Sequence, residues 1–388
     1  ARTVLIKAQN AGVSVPRDPE RKICYRNSDE ISTLDEQRVL EQAETSTDHV
    51  SRVVFPTFSL DRGEGYEIHE NAYWDTQTYI GLRANLIANE GARSFVHEST
   101  RERTPFHRFE ALEVFADHAG ADLHPLLAAK GEQSVGLFPL FTLRKGPITA
   151  AFSPPPELKI PYLGPVVVAQ PGMKPHSREK RRRRLVDGCL DWLDTEYDPA
   201  YVHVRTAMSA PDVRPFGWAT FEETPRFTYV VDLDAEPERL RDRFSRDARS
   251  NVRDAAEACT VEEAGAETVR RVITQVQNRH AEQDLDFPLT ADFVGDLYRE
   301  LPDGYIRPYA CRVDGEFVGG SLILDDGERV YNWQGTVKQD LDYDVNDLLH
   351  WESLRAATDR GHSAYDLVGA NDPRLSRYKS KFAPTLRT

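Results

Sequence analysis

The residues best suited to chemistry in this chain fall in its C-terminal half. Arg246, Arg249 and Arg253 are spaced i, i+3 and i+7, which is one face of a helix. Guanidinium forks on one face can hold a phosphate bidentately. The row is interleaved with Asp242, Asp247 and Asp254, so a solvated, self-neutralised face is the competing reading. Further on, Tyr378-Lys379-Ser380-Lys381-Phe382 sets two lysines among aromatics in a chain with only ten. Lys379 is a candidate for electrostatic stabilisation of developing negative charge. A cation favoured by a helix C-terminus is the alternative. Asp366 sits in an apolar run, where a carboxylate could take a proton or hold an amine, or could cap a turn. Trp333 and Tyr331 could line a substrate cleft, against ordinary cross-strand packing. His107, in Thr104-Pro105-Phe106-His107, is a candidate base, against a structural role at a helix start.

Acyl transfer to an amine, the chemistry that the family resemblance set out below implies, is one these residue types can serve. That reaction needs a grip on the donor's phosphate, a hydrogen-bond donor for the carbonyl oxygen, loss of a proton from the amine, and alignment. Alignment can contribute about 7–11 kcal/mol, so no covalent nucleophile is required. The sequence agrees: it holds no G-x-S-x-G and no evident Ser/His/Asp or Cys/His set.

These residues need elements to position them. Thr104 to His107 leads into a helix carrying Phe109, Leu112, Val114, Phe115 and Ala119, ended by Gly120. Asp122 to Ala129 and Ser134 to Leu143 read as a hairpin. A proline-dense stretch, Ser153 to Pro165, is stiff because proline fixes φ, and it carries Tyr162, a candidate substrate-binding residue. Residues 176–197 predict a helix, Tyr201 to Arg205 a strand, and Asp212 to Glu223 a linker. Arg181-Arg182-Arg183-Arg184 reads either as a docking patch for a polyanion or as a solvated face.

A second unit then opens with a strand, Phe227 to Leu233, and a helix from Pro237 to about Cys259. Helices near 267–284 and 290–301 follow, then three strands joined at Asp314-Gly315 and Asp326-Gly327. A helix from about Asp344 to Arg360, a strand from Ser363 to Val368 and a short helix from Asp372-Pro373 complete it. The pattern predicts an α+β fold of two similar domains, 76–224 and 225–388, each a mixed, mostly antiparallel sheet flanked by helices. Residues 1–75 show no sustained periodicity and are expected to be an unassigned N-terminal extension, partly disordered.

Three stretches of the second unit resemble the FemAB-like, or BioF2-like, branch of the GNAT superfamily. Phe244 to Arg253 is similar to that family's R-x-x-x-R-x-N-(I/V)-R helix. Trp333-Gln334-Gly335 precedes a helix containing Asn346-Asp347-Leu348-Leu349-His350-Trp351. Tyr365 to Gly369 with Arg377 to Phe382 is similar to the closing strand, glycine and aromatic-Lys helix. The first unit adds Thr104 to His107 and Val135 to Leu140, so the resemblance spans about residues 76 to 388. It departs at Phe382-Ala383, where the family has Phe-Gly, and at the pyrophosphate loop (Q/R)-x-x-G-x-(G/A), whose nearest match, Gly315 to Gly320, sits at a strand start.

The resemblance implies two tandem GNAT-like domains and an N-acyltransferase joining an activated acyl group to an amine. An acyl thioester such as acyl-CoA ranks first as donor and aminoacyl-tRNA second. A non-catalytic ligand-binding module is the remaining alternative. It implies no tightly bound cofactor, acyl-CoA being a co-substrate, and it supports Arg249, Arg253, Tyr378 and Lys379 as site residues.

Composition bounds the rest. The 388 residues, 40% hydrophobic, suffice for two ordinary cores. A net charge of -14 with 39 Arg against 10 Lys fits either a salt-accumulating source or a GC-rich genome. The acidity disfavours a nucleic-acid partner over the whole surface, so tRNA is not favoured. Cys24, Cys189, Cys259 and Cys311 form no C-x-x-C pair, so reduced thiols and no metal site are expected. No apolar run is long enough to span a membrane, and the first residues make a poor signal peptide, so the expected location is cytoplasmic.

Overall fold

The computed structural model describes residues 2–8, 66–69, 102–130, 133–168, 172–337, 341 and 344–388. They divide into two compact units: Ala1–Pro156 with Ile160–Pro225, and Arg226–Thr388 with Glu157–Lys159.

The described strands of the first unit are β1 (Arg2–Ala8), β2 (Tyr66–His69), β3 (Asp122–Lys130), β4 (Gln133–Lys145), β5 (Ile148–Ser153), β6 (Val166–Val167), β7 (Tyr201–Arg205) and β8 (Glu222–Arg226). Its helices are α1 (Phe109–Ala119), α2 (Pro175–Glu196) and α3 (Arg214–Trp218). The sheet runs β2-β3-β4-β5-β7-β1-β8, with β6 paired to β4. β3, β4 and β5 form an antiparallel meander, and β7 then lies parallel to β5. A parallel neighbour requires a crossover, and α2 supplies it. Gly120 ends α1 in the left-handed region at φ 60, as its place after the last apolar position predicts.

Three expectations change here. β1 and β2 are strands in the stretch expected to be an unassigned, partly disordered extension, and the rest of residues 1–75 lies outside the described residues. The predicted linker from Asp212 to Glu223 is instead helix α3 and the start of β8. Phe216 fixes it, because its ring packs edge-on to Phe138 at 6.0 Å and to Phe221 at 5.3 Å in the core. The arginine run is not one solvated face. Arg181 and Arg182 are buried, Arg182 reaching the buried Glu102 at 2.5 Å and Arg181 the carbonyl of Val168 at 2.6 Å.

The second unit comprises β9 (Thr228–Asp232), α4 (Pro237–Asp242), α5 (Arg246–Ala258), β10 (Cys259–Glu263), α6 (Ala266–Ala281), α7 (Ala291–Glu300), β11 (Ile306–Val313), β12 (Glu316–Asp325), β13 (Arg329–Val337), α8 (Val345–Asp359), β14 (Ala364–Asp366), α9 (Pro373–Lys379) and β15 (Thr385–Arg387). Its sheet order is β10-β11-β12-β13-β14-β9-β15. The plan repeats that of the first unit. β11, β12 and β13 form a meander, α8 crosses over, and β14 returns parallel to β13. The β11–β12 turn holds Asp314 at φ 51 and Gly315 at φ 83, the two left-handed residues that a tight hairpin of this hand needs.

The helix expected from Pro237 to Cys259 breaks in two. Ser245 leaves helical geometry and its hydroxyl accepts the Ala248 N–H, so a new helix starts there. The break lets Phe244 point into the core, where Ala248, Val252 and Ala255 follow at helical spacing. The residues from Cys259 to Glu263, where the expected helix ends and no further element was assigned, form β10 against β11. No helix among the described residues is long and apolar enough to cross a membrane.

Candidate functional site

Asp347, in the first turn of α8, is completely buried. Its carboxylate accepts the Lys381 ammonium at 2.8 and 3.0 Å and the Asn251 amide at 2.8 Å. One carboxylate thus ties α5, α8 and the short 3-10 turn Ser380–Phe382 together. A charge with no exposure demands such partners, because its desolvation would otherwise cost several kcal/mol. Around the clasp stand Phe244, Trp351, Tyr378 and Phe382, with ring centroids 5.3 to 5.9 Å apart in near-perpendicular pairs. The Lys381 ammonium also lies 4.6 Å from the Tyr378 ring centre. The Tyr378 hydroxyl is buried without a well-formed hydrogen bond. Burial, then the nearby Asp347 charge, pushes its pKa well above the usual phenol range.

His350 lies one turn further along α8. Its ring packs 5.0 Å from Phe382 and 5.6 Å from Tyr378. Nδ1 meets the side-chain amide nitrogen of Asn332, on β13, at 3.0 Å. An amide NH2 only donates, so Nδ1 accepts and the ring proton sits on Nε2. Burial first, then the charges of Lys379 and Lys381, lower its pKa to about 3, so the ring is neutral at ordinary pH.

Lys379 and Asp366 hold one loop between them. Val368 and Gly369 both take left-handed backbone, at φ 49 and 88. For a β-branched residue that costs on the order of 1–3 kcal/mol. The Asp366 carboxylate accepts the Val368 N–H at 2.8 Å and the Thr228 hydroxyl at 2.6 Å. Gly369 N–H donates to that same hydroxyl at 3.1 Å. The Lys379 ammonium donates to the carbonyls of Val368 and Gly369 at 2.7 and 3.0 Å. Asp366 is completely buried, so the sequence expectation that it meets an amine directly meets a geometric objection, and its contacts are those of a loop anchor.

Residues 239–380, which contain Asn251, Asp347 and the Val368-Gly369 loop and end one residue short of Lys381, match the family model for the acetyltransferase (GNAT) domain. The second unit is a GNAT-type domain. FemX shares the fold over 77% of this chain and 93% of its own, at 14% identity and a TM-score of 0.59. That likeness makes the chain FemAB-like in fold. Two other solved structures align less closely. One is the C-terminal domain of a protein described as a lysylphosphatidylglycerol synthetase from Agrobacterium fabrum, covering 78% of this chain and 89% of that one at 12% identity and TM-score 0.48. The other is a tandem GNAT protein from the clavulanic acid biosynthesis pathway, covering 83% and 96% at 14% identity and TM-score 0.42. No curated protein sequence matches the chain.

Within the GNAT-type domain the three arginines of α5 are all exposed, but they are not equivalent. Arg249 turns back to donate to the carbonyls of Asp242 and Phe244 at 2.8 and 2.7 Å, capping the end of α4. Arg253 is bonded to Asp254 and Ser250. Arg246 makes no hydrogen bond to the described residues. Trp333 is the extra residue of a bulge on β13, between Asn332 opposite Ile323 and Gln334 opposite Leu322. Its indole N–H donates to the carbonyl of Lys159 at 3.1 Å. Tyr331 is bonded through its hydroxyl to Asp326 at 2.7 Å, a structural contact.

Two candidates fall in the first unit. Tyr162 is a buried side chain there. His107 is also buried, and both ring nitrogens are committed. Thr104 N–H donates to Nδ1 at 3.1 Å, which leaves Nε2 to donate to the Gly164 carbonyl at 3.1 Å. Burial lowers its pKa to about 4. It pins the proline-rich loop rather than standing ready as a base. Asn251, Asp347, Asn332 and His350 were not singled out from sequence. The available signal was polar residues at otherwise apolar helix positions, Asn-Val on α5 and Asn-Asp-Leu-Leu-His-Trp on α8.

Proposed function

We propose that the second unit transfers an acyl group from a thioester, with acyl-CoA the first candidate, to an amine. The observation that carries this reading is the coincidence of the acetyltransferase-domain match with the buried polar cluster on α8 and the C-terminal segment. In the reaction the amine nitrogen attacks the thioester carbon, the C–S bond breaks, the thiolate leaves, and the proton lost by the amine reaches that sulfur through solvent to give the thiol. No covalent enzyme intermediate is invoked. The buried thiols of Cys259 and Cys311 have pKa values raised first by burial, Cys311 to about 12, which suits packing rather than nucleophilic attack.

The placement of these residues supports a role for each. Arg246, with Arg253 beside it, takes the donor's phosphates. Lys379 brings a positive charge to the strained loop at Val368-Gly369 and to the acyl oxygen. Asp366 acts through that loop as a positioning residue, and Trp333 with Tyr378 shapes the surrounding surface. The acidic balance of the chain supports a small thioester over tRNA.

Binding of acetyl-CoA and longer acyl-CoAs to the full chain in high potassium chloride tests this. Saturable binding that weakens at least about tenfold in Lys379→Ala is expected, given the loss of charge-assisted hydrogen bonds. Absence of acyl-CoA binding, with saturable binding of total tRNA instead, would replace the thioester donor by an aminoacyl ester.

A further inference from the structure

Two of the stretches that carry the resemblance, the helix with His350 and the closing segment, meet at one side chain, and a neighbouring strand joins them there. Asn332, beside Trp333 on β13, fixes the proton on His350. His350 comes from the Asn-Asp-Leu-Leu-His-Trp helix, and Tyr378 and Phe382 of the closing segment clamp its ring. The ring is held on three sides, yet Nε2–H meets no hydrogen-bond partner among the described residues. This immobilised donor reaches solvent, so it is open to an oxygen of a bound ligand. The ring is neutral, with two ammonium groups near enough to keep it so. A neutral imidazole in fixed orientation donates one hydrogen bond and has no second proton to lose.

We propose that His350 donates its Nε2–H to the acyl carbonyl oxygen and stabilises the oxyanion as the amine attacks, with Asn332 as the positioning residue that keeps the proton on Nε2. This rests on the acyltransferase reading above. The proton stays on Nε2 throughout, so His350 serves as an electrophile rather than as the base that deprotonates the amine. The assignment distinguishes His350 from Lys381, whose charge is spent on Asp347.

Long-range proton–nitrogen NMR of the uniformly nitrogen-labelled full chain reads the tautomer directly, and His350→Phe identifies the resonance while preserving the ring stack. The expected spectrum at neutral pH is that of a neutral ring protonated on Nε2, and Asn332→Asp moves the proton to Nδ1. Thiol release from acetyl-CoA in the presence of primary amines as acyl acceptors should fall about 100-fold in His350→Phe, as for loss of one oxyanion donor. Binding of S-ethyl-CoA, the thioether with no carbonyl, should stay within about twofold of wild type, since the lost hydrogen bond has no partner there. Asn332→Asp, which keeps the imidazole, should lose turnover as His350→Phe does. A wild-type ring protonated on Nδ1, or wild-type turnover in His350→Phe, would overturn the assignment and leave the acyltransferase reading standing. If neither CoA compound binds wild type, the thioester reading falls and takes this role with it, whatever the tautomer.

Discussion

Replacing Lys381 by methionine tests whether the Asp347 clasp organises the second unit. The carboxylate is about 1% exposed and the ammonium 24%, so the perturbation strikes an ion pair that is buried on one side only. At the 2.8 Å separation, an effective dielectric constant of about 20 gives a gross attraction of about 6 kcal/mol. Most of that offsets the desolvation of Asp347. Removing the cation leaves the carboxylate with Asn251 as its one remaining clasp partner, and such a break costs about 3–5 kcal/mol. Asp347→Asn should cost less, about 1–2 kcal/mol, because Asn keeps an acceptor and Lys381 can turn towards water. The pair Lys381→Met with Asp347→Leu should recover to within about 1 kcal/mol of wild type, since no charge is then left buried. Urea unfolding followed by far-UV circular dichroism and tryptophan fluorescence, with m values compared across the set, supplies the numbers. The reasoning fails if Lys381→Met costs under about 1 kcal/mol, or if the single effects simply add in the double variant.

Three other outcomes follow from the geometry. His107 is neutral in the fold with its pKa down from 6.5 to about 4, so the unfolded chain takes up its proton first. Stability should fall as pH drops from about 6.5 to 4, by about 3 kcal/mol, and melting curves of His107→Gln should show a shallower slope in that window. His362 works in the opposite sense. Its hydrogen bond to Asp325 raises its pKa, so its contribution is full below 6.5 and is lost as pH rises through the folded value. Burial would raise the Asp325 carboxyl, but His362 and Arg307 override it and hold the group at about 2, so that partner's contribution persists above 3.8 and fades only as pH falls towards 2; His362→Asn should remove the alkaline loss in a pH series of unfolding curves. Gly320→Ala should prevent recovery of folded protein, because its Cβ would lie 2.4 Å from the Tyr309 carbonyl oxygen and 2.7 Å from Val272 Cγ2, and soluble yield with circular dichroism reads this.

Local signals settled much of this protein. Apolar spacing and caps gave α1, α2 and α8 their places, since a helix face or a glycine cap acts within one turn. Asp314-Gly315 set the β11–β12 turn through φ alone. The resemblance in residues 244–253, 333–351 and 365–382 pointed to the GNAT-type domain before any coordinates. What tertiary structure decided was pairing. The strands β1, β8, β10 and β15 carry weak periodicity and exist through their partners in the sheet. Arg181 and Arg182 looked solvated because nothing in a charge run announces a buried Glu102 far away in sequence. Lys379 and Lys381 are near neighbours with the same chemistry. Only the fold sends one to two backbone carbonyls and the other to Asp347. His350 likewise carries no local mark of its tautomer, because Asn332 reaches it from another strand. Periodicity records which side of an element is buried, whereas the partner of a polar atom is set by long-range topology, and in this chain the candidate chemistry lies in those partners.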